Sequence, residues 1–245
     1  MKAKQILILG ATSDMAKACG ELFGKKGFEL ILAARNVQRL EPYASDLKIR
    51  YGIKSELLEF NAVDYESHPA IVSNLPESCE VVICAFGYLG DQLKAEEEWQ
   101  ESKMIIESNY LGAVSILNLL ASKWKAISSG SIIGISSVAG DRGRSSNYIY
   151  GSAKSAFSTY LDGLRNKLFH YGVHVVTVKP GFVATKMTSH LDLPKPLTSN
   201  VDSLAKAIYK SWKNKKNTVY ISGIWFWIMF VIKMIPEMVF KRLKM

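Results

Sequence analysis

Short, unbroken apolar runs alternate along the chain with longer stretches in which apolar residues recur every three to four positions. The runs are residues 5–9 (QILIL), 28–34 (FELILAA), 55–60, 80–85 (EVVICA), 131–136 (SIIGIS), 173–178 (VHVVTV) and 218–221 (TVYI). Continuous apolarity over so few residues suits strands buried on both faces. Between them, helical periodicity predicts helices over 14–26, closed by Gly27, and over a stretch with Pro42 near its start that runs to Gly52. Further helices are predicted just after Ser67 and over 96–129, 147–171 and 201–212. Strands alternating with helices imply an α/β fold: a single doubly wound Rossmann-type domain with a seven-stranded parallel sheet and right-handed crossovers. No repeat or low-complexity linker divides residues 1–222.

Residues 223–245 form an apolar and basic extension. The stretch 218–232 carries no charge, and its part beyond the last strand, from Trp225 to Phe230, is WFWIMF. Lys233 and Pro236 then interrupt it, short of the about 20 apolar residues that a spanning helix needs. Aromatics followed by Lys233, Lys241, Arg242 and Lys244 suit a helix lying in a membrane interface. Burial against another copy in a homo-oligomer is the alternative.

Composition adds bounds. Net charge is +9, which fits nucleic acid, an anionic membrane surface or a polyphosphate ligand. No basic block is interleaved with aromatics, which argues against a nucleic-acid groove. The three cysteines, Cys19, Cys79 and Cys84, show no paired spacing, which points to a reducing compartment and away from a zinc or other metal site. The start, Met1 to Lys4, leads straight into a strand, so no signal peptide is expected.

The chemistry concentrates around Tyr150 and Lys154, one helical turn apart on a face shared with Ala153, Ala156, Phe157 and Leu161. A tyrosine hydroxyl titrates near ~10 in water, and an ammonium nearby favours the phenolate and lowers that value. Ser137 stands at the end of the fifth strand, where its hydroxyl can hold a carbonyl oxygen. The trio suits reversible proton transfer at a carbonyl or alcohol oxygen while hydride moves at carbon.

A nucleotide loop follows the first strand. Gly10 allows a tight turn, and Thr12 and Ser13 offer hydroxyls and amides to a pyrophosphate at a helix N-terminus. Asp14 and Ala16 replace the usual second and third glycines. After the second strand, where an acid would accept from ribose hydroxyls, stand Arg35 and Asn36; arginine suits a 2′-phosphate, so NADP(H) is favoured over NAD(H). Asn61 and Asp64, after the third strand, are placed to meet an adenine edge. Phe86 and Gly87, after the fourth, let backbone approach the cofactor.

Over residues 5 to about 190 these features resemble the short-chain dehydrogenase/reductase family. The matching motifs are GATSDMA (10–16), CAFG (84–87), NYLG (109–112), Ser137, YGSAK (150–154) and KPGFVAT (179–185). The resemblance implies that Ser137 polarises the substrate oxygen and Tyr150 is the acid/base. It implies that Lys154 lowers the tyrosine pKa and holds the nicotinamide ribose, while Asn109 anchors a water relay. It extends the cofactor contacts to Met15, Ala62, Ala85, Pro180, Gly181 and Val183, with Thr185 on the nicotinamide carboxamide. The runs GATSD, AFGYLGDQ (85–92) and SSVAGDRGRSSNYIYGSAK (136–154) resemble the branch that reduces decaprenylphosphoryl-2-keto-erythro-pentose to the arabinose form. That branch uses a reduced nicotinamide cofactor and works beside a flavin oxidase. It implies a lipid-linked sugar substrate, a role in cell-envelope polysaccharide synthesis, and a place on the cytoplasmic side of the inner membrane, peripherally bound.

Three other readings compete with this one. A hydrolase built on Ser136 or Ser137 with His170 or His174 lacks the second glycine of a nucleophile elbow. A catalytically silent NADP-sensing protein would have no need of both Tyr150 and Lys154. A short-chain reductase of another apolar ketone, of sphingoid, steroid or acyl type, keeps every motif above and stands as the alternative.

Overall fold

The computed structural model describes residues 4–188, 192 and 194–243. Met1 to Ala3 and Lys244 therefore lie outside the described residues. Seven parallel strands form one sheet in the order β3-β2-β1-β4-β5-β6-β9. They are β1 (Gln5–Leu9), β2 (Glu29–Ala34), β3 (Ser55–Glu59), β4 (Cys79–Cys84), β5 (Gly130–Ile135), β6 (Val173–Pro180) and β9 (Thr218–Ile221). Each expected strand is present, with ends shifted by a residue or two. The strand order reverses between β1 and β4, which opens a crevice at the carboxyl ends of the strands, where such folds bind ligands.

The central strands are mostly apolar because helices cover both faces. One layer holds α1 (Asp14–Lys25), α2 (Glu41–Tyr51) and α8 (Val201–Lys213), which bury Cys19, Phe23, Leu47, Leu204 and Ile208 against the sheet. The other holds α3 (His68–Asn74), α6 (Gly112–Ile127) and α7 (Tyr148–Leu168), with Ile116, Leu117, Trp124, Phe157 and Leu161 inside.

The helix expected over 96–129 is divided. A short α4 (Gln92–Glu97) is capped by Asp91 and ends at Glu98, whose extended backbone (φ −113°, ψ 108°) separates it from α5 (Trp99–Ile106). A wide π turn over Glu107–Leu111 then joins α5 to α6. The Asn109 side-chain amide donates to the Ile105 carbonyl at 2.8 Å, and a side chain inserted into the helical ladder is one way such a turn widens. The run Trp99–Ile127 is long and apolar enough to cross a membrane by length and composition, yet Ala113, Ile116, Leu117, Leu120 and Trp124 on it are packed under the sheet.

Two short strands, β7 (Phe182–Val183) and β8 (Thr198–Ser199), pair in parallel outside the main sheet. At two residues each they are too short to leave a periodicity. Beyond β9 the chain turns at Ser222 (φ +38°) into α9 (Ile224–Met234) and α10 (Glu237–Phe240). Trp225 and Met229 on α9 are buried with Val138.

Candidate active site

A cavity of about 830 Å³ opens at the carboxyl ends of β1, β2, β4 and β5. Gly10, Thr12, Ser13 and Met15 line one end of it. Gly10 has φ +82°, and a Cβ there would stand 2.7 Å from the Phe86 backbone nitrogen, so the tight turn and the close approach both require glycine. The Ser13 hydroxyl accepts from the Ala16 N–H at 3.1 Å and so caps α1, whose N-terminus faces this loop. Asp14 does not line the cavity; its carboxylate accepts from the Lys186 N–H at 2.7 Å and fastens α1 to the segment after β7.

Arg35 is exposed at the rim, while its neighbour Asn36 leads into a short 3-10 turn outside the lining. Asn61 and Ala62 line the middle, joined by Val63 and Phe60. Asp64 turns away, and its carbonyl accepts from the Ser67 hydroxyl at 2.8 Å. Behind Asn61 lies His68, fully buried, whose Nε2 donates to the Asn61 carbonyl (3.1 Å) and whose Nδ1 pairs with the Ser115 hydroxyl (2.8 Å). The carbonyl can only accept, so Nε2 is the nitrogen that carries a hydrogen toward it. No motif or periodicity marks this support.

Ala85, Phe86 and Gly87 form the opposite wall and lead to Tyr150 and Lys154. These two project from the first turns of α7, one turn apart. Ser137 lies two residues beyond the end of β5 in an extended conformation, and its hydroxyl accepts from the Ala139 N–H at 3.1 Å. It also hydrogen-bonds Tyr150. Ser136, beside it, is structural: its hydroxyl ties the end of β5 to the Lys154 carbonyl (3.0 Å) and to Ser158 (2.7 Å).

The electrostatics differ from the expectation that Lys154 lowers Tyr150. Burial pushes Tyr150 up to about 12, and the bond to Ser137 pulls the other way without prevailing. Burial pushes Lys154 down to about 8, against the pull of Cys84. The ammonium points into the core, donating to the Ile135 carbonyl at 3.2 Å, with 5.7 Å between Nζ and the centre of the Tyr150 ring. Desolvation dominates both groups.

Asn109, also buried, lies behind Gly87. Its amide donates to the Tyr88 carbonyl (2.6 Å) and its Oδ1 accepts from the Tyr88 N–H (3.3 Å), so the π turn pins the strand end that faces Lys154. Among the described residues after β6, Met187 alone reaches the cavity lining. Pro180 and Val183 are buried. A Cβ on Gly181 would overlap the Trp225 indole. The Thr185 N–H donates to the Thr188 hydroxyl at 3.2 Å. Asn36, Pro180, Gly181, Val183 and Thr185 are thus not brought to the cavity wall.

The loop after Ser137 holds a second set of contacts that the sequence did not disclose. The Arg142 guanidinium donates to the carbonyls of Ile232 (2.8 Å), Lys233 (3.2 Å) and Ile235 (2.6 Å), pairs with Glu237 (3.0 Å) and lies 3.8 Å from the centre of the Phe240 ring. Asp141, next to it, accepts from Lys179 (2.6 Å) and the Tyr220 hydroxyl (2.7 Å).

The arrangement fits a dinucleotide: a glycine turn at a helix N-terminus, a cation where a 2′-phosphate would sit, and a proton-bearing pair at the far end. Comparison with known proteins agrees. The family model described as short chain dehydrogenase matches residues 4–195. An uncharacterized oxidoreductase of Mycobacterium tuberculosis is 32% identical over 246 residues, spanning 98% of this chain and 97% of that one. An NADP-dependent 3-hydroxy acid dehydrogenase of Schizosaccharomyces pombe is 26% identical over 193 residues, 77% of this chain and 74% of its own. A short-chain dehydrogenase from Sphingobium yanoikuyae, solved in complex with NADPH, superposes with a TM-score of 0.82 at 20% identity, covering 96% of this chain and 97% of that chain.

Proposed function

Because this chain belongs to the short-chain dehydrogenase/reductase family and is an oxidoreductase, we propose that it uses NADP(H) to reduce the keto group of a polyprenyl-phosphate-linked pentose, 2-keto-erythro-pentose to arabinose, in cell-envelope polysaccharide synthesis. NADP(H), when bound, supplies the hydride that the keto carbon receives. Ser137 holds the carbonyl oxygen. Tyr150, kept protonated by burial, gives its proton to that oxygen as it becomes an alkoxide. Lys154, shifted down to about 8, keeps its proton near neutral pH but gives it up readily; its ammonium returns a proton to the Tyr150 phenolate and is itself reprotonated through the water relay that Asn109 anchors. Arg35 pairs with the 2′-phosphate of the cofactor and disfavours NAD(H).

The observation that carries the substrate reading is the contact between the Ser137 loop and α9. Val138 packs on Trp225 and Met229, so an apolar, outward-facing helix adjoins the residue that holds the substrate oxygen. The AFGYLGDQ and SSVAGDR runs support the same branch. Work on a lipid-borne sugar places the protein peripherally on the cytoplasmic side of the inner membrane, beside a flavin oxidase that would furnish the ketone. A homo-oligomer is compatible with this reading.

The test is NADPH oxidation by purified protein given polyprenylphosphoryl-2-keto-pentose, with a panel of sphingoid, steroid and acyl ketones alongside. Rapid turnover of the lipid-linked sugar, with an arabinose product, is the expected result. Turnover of panel ketones alone would move the activity to another apolar ketone.

A further inference from the structure

From Ile224 to Ile232, helix α9 is apolar on every side. Its inner stripe, Trp225, Ile228, Met229 and Ile232, packs on Val138, Phe182 and Leu197. At helical spacing on the opposite side run Phe226 and Phe230, with Trp227, Val231 and Met234 beside them; Trp227 is 64% and Met234 69% exposed. Met238, at 73%, continues the surface onto α10. A helix apolar all round is ordinarily covered on both sides, and here the protein covers one.

Charge identifies the cover. Lys233, Lys241 and Arg242 are exposed at the same end, and Glu237, the one acid in residues 223–243, is held by Arg142. A second copy applied through this face brings no acid to neutralise those cations. An anionic bilayer does. At eleven residues α9 is about 16 Å long, half of a ~30 Å hydrocarbon core, so it lies along the surface.

We infer that the outer face of α9 and α10 seats on an anionic bilayer, with Trp227 and Phe230 at the acyl boundary and Lys233, Lys241 and Arg242 among the headgroups. Arg142 holds the carbonyl end of α9 to the loop that carries Ser137, so the seated face keeps a fixed orientation to the active site. The inference deepens the membrane placement proposed above, and its test uses no sugar substrate, so either can fail without the other.

The experiment is flotation of the full chain with vesicles of phosphatidylcholine, alone or mixed with phosphatidylglycerol, and tryptophan quenching by brominated acyl chains. The expected result is partitioning on the order of a hundredfold stronger onto the anionic vesicles, falling at high salt. Trp227→Phe keeps the binding and loses much of the quenching. The triple variant Phe226→Ser, Trp227→Ser, Phe230→Ser loses the binding while keeping its melting temperature and NADPH affinity. Wild-type protein left unfloated by both vesicles would overturn the inference. So would a dimer that the triple variant dissolves, since the face would then belong to a second copy.

Discussion

The Lys154 ammonium donates to the Ile135 carbonyl at 3.2 Å, not to the hydroxyl of Tyr150 one turn before it on α7. The lysine is thereby anchored to the end of β5, and burial rather than the ammonium sets the tyrosine's acidity. Tyr150 is then a proton donor at neutral pH. Replacing it with phenylalanine removes the donor and leaves the packing of the ring. Tyr150→Phe should retain fold and NADPH binding and lose ~10²–10⁴-fold in kcat. Single-turnover NADPH oxidation checks this, and near wild-type rates would remove Tyr150 from the mechanism.

The depressed pKa of Lys154 has a consequence for stability. Its folded value, about 8, lies below the 10.5 of an ordinary lysine, so between those values the unfolded chain binds the extra proton. Stability contributed at this position is lowest below about pH 8 and rises as pH climbs toward the unfolded value. A methionine there does not titrate. The gap in unfolding free energy between Lys154→Met and wild type should favour the variant at pH 7 and shrink by pH 10. Urea melts at the two pH values measure it, and a pH-independent gap would contradict the buried, shifted lysine.

Arg35 is exposed at the rim of the cavity, at the end of β2. A charge-assisted bond to a 2′-phosphate contributes about 1.5–3 kcal/mol, or roughly ten- to a hundredfold in affinity. Arg35→Ala should raise the KM for NADPH by that factor, leave kcat nearly unchanged and leave the KM for NADH where it was. Equal losses with both cofactors would place the arginine elsewhere in the chemistry.

The sheet was legible because its central strands are buried on both faces and read as uninterrupted apolar runs. The end of α2 was legible because a glycine, Gly52, which adopts positive φ, stands just beyond the helical stretch. The cavity lining from Gly10 to Gly87 followed from strand ends, since a parallel sheet brings its carboxyl ends together. Long-range polar contacts carry no such signature. Asp14 reads as a helix start, and nothing in a period marks its bond to Lys186, 172 positions away. The π turn at Asn109 hides inside an apolar helical run. The tail was legible as apolar and basic, but composition could not say which face the protein itself buries.

Arg142 ties the tail to the loop that carries Ser137. A single guanidinium accounts for three carbonyls at the end of α9 and for Glu237, groups a helix terminus otherwise leaves to solvent. Arg142→Met keeps the stem against Phe240 and removes the fork; Arg142→Lys keeps the charge but offers no planar fork to three carbonyls. Both variants should free the tail, exposing it to cleavage after Lys233 by trypsin at low dose, with methionine the worse. The loss should be about 1–3 kcal/mol, since the donors are charged and the site is only partly wet. Because Val138 rests on Trp225 and Met229, loosening α9 also loosens Ser137, and kcat should fall while NADPH affinity holds. A tail that stays resistant to trypsin in Arg142→Met would mean that Trp225 and Met229 alone hold the helix in place.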